Sequence, residues 1–169
     1  MLLFLCGMPG SGKTTVGKEL SKLLNSNLID LDEYIAKKEK LAIPIIFKTK
    51  GEDYFRKAES ASLKELLAKN HNAVVSVGGG TPCFGQNMKI MSEGGKSIYL
   101  KTTPVTLCHR LEGDKNIRPL FSKFKGEKLK EKIESMLEHR ERHYLKANFS
   151  LDTEGKTAIE VAKEIAALF

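Results

Sequence analysis

The segment from Gly7 to Thr14 contains the residue types that bind phosphate groups, in the order Gly-Met-Pro-Gly-Ser-Gly-Lys-Thr. Because glycine has no Cβ, it accepts positive φ angles and lets backbone N–H groups surround an anion. Lys13 adds a positive charge, and the hydroxyl of Thr14 suits Mg²⁺. The apolar run Leu2–Cys6 directly before the segment predicts a strand, and a following helix would direct its positive dipole end at the anion. This context favours a phosphate-binding P-loop over a chance cluster of glycines.

Two aspartates, Asp30 and Asp32, lie where the next predicted strand ends. Residues two apart in an extended chain project to the same side, so the two carboxylates could share one site. One would lie near a metal ion, and the other near a substrate hydroxyl that it orients and deprotonates. Helix capping by either aspartate is the alternative, because Asp is a favoured N-cap residue. Beside a P-loop, we favour the catalytic interpretation.

Two arginines, Arg56 and Arg140, are candidates for binding an acid. Arg56 and Glu59 are one helical turn apart, which an ordinary surface ion pair would also explain. Arg140 shares a predicted helix face with apolar residues and Tyr144, and an inward guanidinium needs an anionic partner unless it extends to solvent. The planar fork of arginine matches a carboxylate with two hydrogen bonds, so this pair predicts a small carboxylic acid as ligand.

A triple glycine, Gly78-Gly79-Gly80, follows the predicted strand 73–77. It indicates that the backbone approaches something closely, and its N–H groups could bind a hydroxyl or a carboxylate; a plain tight turn is the alternative. Further along, Arg118 lies in the charged, glycine-punctuated stretch 113–126, which suits a lid over a bound ligand. An arginine brought down by such a lid could stabilise charge on a transferring phosphoryl group.

Apolar stretches and amphipathic stretches alternate along the chain. Strands are predicted at residues 2–6, 28–31, 73–77, 97–100 and 149–151. Helices are predicted at 16–24, from Asp32 with an interruption around Pro44 and a resumption near Glu52, at 86–93, from Pro104, at 127–145 and at 159–169. Continuously apolar strands joined by helices indicate a parallel sheet covered on both faces, so the fold class is three-layer α/β/α. Ligands bind at the carboxyl ends of such strands, so we expect the three motifs above to converge on one crevice.

The length and composition predict one soluble domain. The 169 residues are 41% hydrophobic, and no apolar run approaches the roughly 20 residues that span a bilayer. The three cysteines are widely spaced, so we expect reduced thiols and no zinc site. The net charge of +7 would suit nucleic acid, an anionic membrane or small anions, but the lysines at 123–132 alternate with glutamates as in a solvated segment. We therefore expect a cytoplasmic monomer that binds no nucleic acid and no membrane.

Taken together, these motifs resemble the shikimate kinase family over essentially the full chain. The matching pieces are Gly7 to Thr14, Asp30-Leu31-Asp32, Ile46-Phe47 with Gly51, Phe55-Arg56 with Glu59, Gly78-Gly79-Gly80, Arg118-Pro119-Leu120, and Arg140 four residues before Tyr144. The resemblance implies a single kinase domain over residues 1–169, with the five-stranded parallel sheet of a P-loop NTPase similar to nucleoside monophosphate kinases. It also implies a shikimate-binding region at about 32–60, a lid at about 113–126, and phosphorylation of the 3-hydroxyl of shikimate by ATP with Mg²⁺, on the pathway to aromatic amino acids.

The same resemblance implies a role for each matching residue. ATP would be bound by Gly10, Ser11, Gly12, Lys13, Thr14, Thr15 and Arg118, with Arg110, Asp152, Thr153 and Lys156 as candidates on the adenine side. Mg²⁺ would be held by Thr14 and, through water, by Asp30. Shikimate would be bound by Asp32, Arg56, Gly78, Gly79, Gly80 and Arg140, between walls formed by Phe47 and Phe55. Lys13, Asp32 and Arg118 would be the catalytic residues.

Two other classes of function stay open on the sequence alone. A gluconate or nucleoside monophosphate kinase would share the architecture, but the two arginines favour a compact carboxylate, and the short region between Asp32 and Arg56 leaves little room for a nucleobase. A basic ATP-binding regulatory or RNA-binding module would use the P-loop without transferring phosphate. Such a module needs aromatic platforms, whereas the chain has no Trp and only four Tyr.

We expect Lys13→Ala to lower kcat by at least about 100-fold, because it removes the charge that stabilises the transferring phosphoryl group. A coupled assay of ADP release measures the change. A rate close to that of the unsubstituted protein would contradict the phosphate role of Lys13.

Overall fold

Five parallel strands form the central sheet. The computed structural model describes residues 1–69, 72–113, 121 and 123–169. The strands are β1 (Leu2–Cys6), β2 (Asn27–Asp30), β3 (Ala73–Ser76), β4 (Lys96–Lys101) and β5 (Phe149–Asp152). Their order in the sheet is β2-β3-β1-β4-β5, and all neighbouring strands are parallel. The predicted five-stranded parallel sheet is therefore confirmed.

The strands are connected by helices. In the described part of the chain these are α1 (Lys13–Leu23), α2 (Leu31–Glu39), α3 (Ile43–Ala68), α4 (Asn87–Gly94), α5 (Pro104–Glu112), α6 (Gly126–Tyr144) and α7 (Ala158–Ala166). A short 3₁₀ turn, Thr81–Cys83, follows the triple glycine. Most predicted helix ends lie close to these bounds. None of the described helices has the length and apolar character needed to cross a lipid bilayer.

From the end of β2 to the middle of α3, the structure differs from the prediction only in detail. Leu31 opens α2 instead of ending β2, because the Asp30 carboxylate caps the helix by accepting a hydrogen bond from the backbone N–H of Asp32 at 3.0 Å. The predicted interruption around Pro44 is confirmed, because α2 ends at Glu39 and α3 begins at Ile43, with Pro44 in its first turn, where a backbone N–H has no helical partner. A second break lies at Gly51, directly before the predicted resumption near Glu52, because its φ of 82° and ψ of 172° are not helical.

Helices cover both faces of the sheet. Side chains alternate along β1, so that Leu3 and Leu5 belong to one hydrophobic core while Phe4 and Cys6 belong to another. α1 and α7 pack on the Leu3 face, and α2 to α6 pack on the Phe4 face. The three-layer α/β/α architecture is therefore confirmed.

The order of the strands brings two glycine-rich loops together. The chain leaves β1 for the sheet edge at β2, returns to β3 beside β1, and then crosses β1 to reach β4. The loops after β1 and β3 therefore leave the carboxyl edge of the sheet in opposite directions, which opens a crevice of the kind that binds ligands. The P-loop and the triple glycine border this crevice.

Part of the predicted lid at 113–126 lies outside the described residues. These residues are 114–120 and 122, so the lid and the role of Arg118 stay predictions. The two ends of the stretch lie together, because the backbone N–H of Gly126 donates a hydrogen bond to the Glu112 carboxylate at 2.8 Å. α6 begins directly at this contact.

We expect Gly7→Ala to lower the free energy of unfolding more than Gly155→Ala does. Both glycines have a positive φ, 143° and 67°, so alanine strains the backbone at either position by about 1–2 kcal/mol. At Gly7 the added Cβ would also lie 2.8 Å from the carbonyl oxygen of Leu100, whereas at Gly155 it would meet nothing within 4 Å. Urea unfolding measures both losses. Equal losses would contradict the close packing of β4 against the loop.

Candidate active site

The loop after β1 has the backbone geometry of an anion-binding nest. Gly10 and Gly12 have φ angles of 86° and 91°, and Gly12 directly precedes the first turn of α1. Such angles turn successive backbone N–H groups towards one point, and α1 adds the unpaired N–H groups and positive dipole of its N-terminus. The loop therefore forms a cradle for phosphate oxygens.

The Lys13 ammonium is buried beside this cradle. Only 7% of the residue is exposed, and Nζ donates hydrogen bonds to the carbonyl oxygens of Gly7 at 3.0 Å and of Met8 at 2.8 Å. These bonds compensate the burial of the charge and fix its position. Lys13 thus lies where the sequence predicts it, at the phosphate-binding loop.

Three side-chain oxygens meet at the first turn of α1. The Thr14 hydroxyl lies 3.4 Å from Asp30 Oδ2 and 3.2 Å from Ser76 Oγ. Oxygen ligands of this kind suit Mg²⁺, which binds few protein groups and completes its shell with water and phosphate. Among the described residues, no cluster of three or more His, Cys, Asp or Glu side chains forms a metal site by itself. The sequence predicted Thr14 and Asp30 at this position but not Ser76. The sequence feature that could have indicated Ser76 is a hydroxyl residue at the carboxyl end of an apolar strand.

Asp32 approaches the triple glycine from α2. It lies in the first turn of that helix, so the prediction that Asp30 and Asp32 project together from an extended chain was wrong in its geometry. Asp30 acts as the helix cap and as a neighbour of Thr14 at the same time. Both aspartates nevertheless line one cavity. Asp32 Oδ1 lies 3.2 Å from the position of a Cβ on Gly78, so glycine is the residue that leaves room for the carboxylate there.

A cavity of about 470 Å³ joins the P-loop to Asp32. Its volume is in the range of sites for small molecules. The predicted site residues that line it are Gly10, Ser11, Gly12, Lys13, Thr14, Thr15, Asp30, Asp32, Gly78, Gly79 and Lys156. Arg110 and Thr153, considered for the adenine side, also line it, whereas Asp152 does not. Of the predicted substrate contacts, Arg56, Gly80 and Arg140 lie outside this lining, and so do the predicted walls Phe47 and Phe55.

Arg56, on α3, lies beside Gly80. A Cβ on Gly80 would be 3.1 Å from Arg56 Nη2. The guanidinium pairs with Glu59 at 2.7 Å and with Glu52 at 2.9 Å, and its Cζ lies 3.8 Å from the centre of the Phe84 ring. Glu59 is 1% exposed, so the alternative of an ordinary surface ion pair is wrong. The pair is buried at one end, and it fixes the direction of the guanidinium.

Arg140, on α6, lies beside Tyr144, and Tyr144 contacts the triple glycine. The buried Tyr144 hydroxyl donates a hydrogen bond to the Gly79 carbonyl oxygen at 2.6 Å. Burial raises the pKa of Tyr144, and the Arg140 guanidinium beside the hydroxyl opposes that rise. Arg140 is partly buried and forms no salt bridge with any carboxylate in the described residues. A guanidinium in this position favours an anionic ligand.

The triple glycine gathers the side chains that the sequence predicted to contact a substrate. Asp32 lies at Gly78, Arg56 at Gly80, and Arg140 at the tyrosine bonded to the central glycine. Burial raises the pKa of the Cys83 thiol, while Arg140 and Arg56 both lower it, so the two guanidiniums lie around the same side chain. One carboxylate and two guanidiniums therefore lie around one short loop next to the phosphate cradle.

This chain is similar in sequence and in architecture to known proteins. The shikimate kinase family model matches residues 9–169. A shikimate kinase from Parabacteroides distasonis is 43% identical to this chain over 152 residues, which cover 90% of this chain and 87% of the relative.

Two solved structures are similar along almost their whole length. Shikimate kinase from Bacteroides thetaiotaomicron has a TM-score of 0.91 and 34% identity, and the match covers 99% of this chain and 97% of that one. Shikimate kinase from Acinetobacter baumannii, solved in complex with shikimate, has a TM-score of 0.86 and 33% identity over 99% of this chain and 91% of that one.

Proposed function

This chain belongs to the shikimate kinase family, and we propose that it transfers the terminal phosphoryl group of ATP to the 3-hydroxyl of shikimate. The products would be shikimate 3-phosphate and ADP, a step in aromatic amino acid biosynthesis. One observation carries the proposal: the triple glycine has the phosphate cradle on one side and Asp32, Arg56 and Arg140 around it. A nucleotide and a small hydroxy acid bound there would meet across the loop, in the geometry that phosphoryl transfer needs.

ATP would bind with its phosphates on the P-loop. The backbone N–H groups from Gly10 to Thr15 and the Lys13 ammonium supply donors and positive charge for the phosphate oxygens. Arg110 and Lys156, which line the same cavity, would contact the rest of the nucleotide. Lys156 Nζ pairs with Glu164 at 2.8 Å, so its contact with ATP would come mainly from the side-chain methylenes.

Thr14 and Asp30 would hold Mg²⁺, with Ser76 beside them. The side-chain oxygens of Asp30 and Ser76 lie within 3.4 Å of the Thr14 hydroxyl, and oxygen is the ligand type that Mg²⁺ prefers. When bound, the ion supplies positive charge that offsets the charge of the phosphates. The protein orients this site by using Asp30 both as a cap of α2 and as a partner of Thr14.

Shikimate would bind through its carboxylate to Arg56 and Arg140. This contact directs the hydroxyl of the acid towards Asp32 and the triple glycine, whose N–H groups would bind the substrate. Asp32 would then orient the hydroxyl and accept its proton as the oxygen attacks phosphorus. During the transfer, Lys13 would stabilise the negative charge on the oxygens of the phosphoryl group, and Arg118, in the lid at 113–126, would do the same.

We also propose that the enzyme acts as a cytoplasmic monomer that binds neither nucleic acid nor membranes. All residues assigned above belong to one chain, so no second subunit is needed to complete the site. The net positive charge of the enzyme would then attract its anionic substrates, ATP and a carboxylic acid.

A panel of phosphoryl acceptors tests the proposed function. ADP release would be measured with shikimate, gluconate and nucleoside monophosphates, and the phosphorylated position determined by NMR. We expect kcat/KM for shikimate to exceed the others by at least about 100-fold, because only shikimate offers a compact carboxylate at the correct distance from the hydroxyl. Faster turnover of gluconate or of a nucleotide would overturn the assignment.

We expect Asp32→Asn to lower kcat by about 10²–10⁴-fold while KM for shikimate changes little, because the amide keeps a polar contact but cannot accept the proton. Steady-state kinetics with varied shikimate measures both values. Glu33→Gln, which changes the exposed neighbouring carboxylate, is the matched control and should behave like the unsubstituted enzyme. An effect confined to KM would leave Asp32 as a binding group only.

A further inference from the structure

A buried hydrogen-bond chain connects the triple glycine to Arg56. Thr81, directly after Gly80, is 0% exposed, and its hydroxyl donates a short hydrogen bond to Glu59 Oε1. The other oxygen of the same carboxylate, Oε2, accepts a hydrogen bond from Arg56 Nη1 at 2.7 Å. One hydroxyl and one carboxylate therefore connect the loop that approaches Asp32 to the arginine on α3.

Thr81 is itself held in place by its backbone. Its N–H donates to the Gly78 carbonyl oxygen at 3.0 Å, and its carbonyl oxygen accepts a hydrogen bond from Asn87 Nδ2 at 3.0 Å. Asn87 is fully buried, and its Oδ1 accepts a hydrogen bond from Ser60 Oγ at 2.6 Å, one helical turn after Arg56. The hydroxyl of Thr81 thus has a fixed direction towards Glu59.

The hydrogen bonds of Arg56 leave part of its fork unused within the described residues. Nε and Nη2 donate to Glu52, and Nη1 donates once to Glu59. A guanidinium has five N–H groups, so each terminal nitrogen retains one. Two such groups match the two oxygens of a carboxylate, and the Phe84 ring 3.8 Å from Cζ restricts the plane in which they lie.

We propose that Thr81 is a positioning residue that keeps Arg56 directed at the carboxylate of the acceptor. The Thr81 hydroxyl donates a hydrogen bond to Glu59 Oε1, so Arg56 donates only one hydrogen bond to this carboxylate, at Oε2. Without that hydroxyl, Oε1 would be a buried acceptor with no donor, which is unfavourable. Arg56 already contacts this carboxylate, so its guanidinium would turn to bind both oxygens and would withdraw its fork from the acid.

Thr81→Val and Thr81→Ser test the proposal, which rests on the proposed role of Arg56 in binding shikimate. Valine keeps the shape and removes the hydroxyl, whereas serine keeps the hydroxyl. We expect Thr81→Val to raise KM for shikimate by about tenfold while KM for ATP and kcat change far less, and Thr81→Ser to restore the affinity. An unchanged KM for shikimate, an equal rise for both substrates, or no recovery with serine would overturn the proposal.

A double-mutant cycle with Arg56→Ala separates this proposal from the proposed function. If Arg56→Ala alone leaves KM for shikimate unchanged, the role of Arg56 is wrong and the proposal fails with it. If Arg56→Ala raises KM, adding Thr81→Val should raise it by less than about twofold more, since Thr81 acts through Arg56. Additive effects would contradict positioning while leaving the proposed function intact. Should the valine variant not fold, Thr81→Ala removes the same hydroxyl with less bulk and must give the same pattern.

Discussion

The contact between Gly79 and Pro9 sets the distance between the two halves of the active site. A Cβ on Gly79 would lie 2.7 Å from Pro9 Cδ, so glycine allows the loop after β3 to pack directly on the P-loop. None of the three consecutive glycines has a positive φ. Glycine is therefore required here because a side chain would not fit, and not because of the backbone conformation. The parallel pairing of β1 with β3 brings the two loops together, and Tyr144 holds the Gly79 carbonyl at 2.6 Å. Reacting atoms must be about 3–3.5 Å apart, so in the proposed function this packing would determine whether the acceptor reaches the phosphate.

Charged groups around this contact are held by protein partners that orient them. The Lys13 ammonium is bonded to two loop carbonyls, and Arg56 to the buried carboxylate of Glu59. A buried charge without such partners would destabilise the fold, whereas a partnered one is already in place when a ligand arrives. Arg140 differs, since it forms no salt bridge with a carboxylate of the described residues, which is why we propose it as a partner for an acid. Arg56 is therefore oriented by a carboxylate of the protein, whereas in the proposed function a carboxylate partner for Arg140 would come from a ligand.

Local patterns in the sequence predicted the sheet, its helices and the P-loop, because each depends on neighbouring residues. Contacts between distant segments could not be predicted in the same way. Arg56 and Glu59 have the spacing of a surface pair, and only the packing of the triple glycine against α3 shows that the glutamate is buried. Ser76 and Thr81 were missed because a single hydroxyl in or after an apolar strand has no periodic signal, and its role depends on partners far along the chain. Arg118 and part of the predicted lid lie outside the described residues.

We propose that the triple glycine places the hydroxyl of a small acid beside the terminal phosphate. A crystal structure of the enzyme with shikimate and a non-hydrolysable ATP analogue measures this directly. We expect the carboxylate of the acid on Arg56 and Arg140, its 3-hydroxyl within hydrogen-bond distance of Asp32, and the oxygen of that hydroxyl about 3–3.5 Å from the terminal phosphorus. An acid bound away from these arginines, or with its hydroxyl remote from the P-loop, would contradict it.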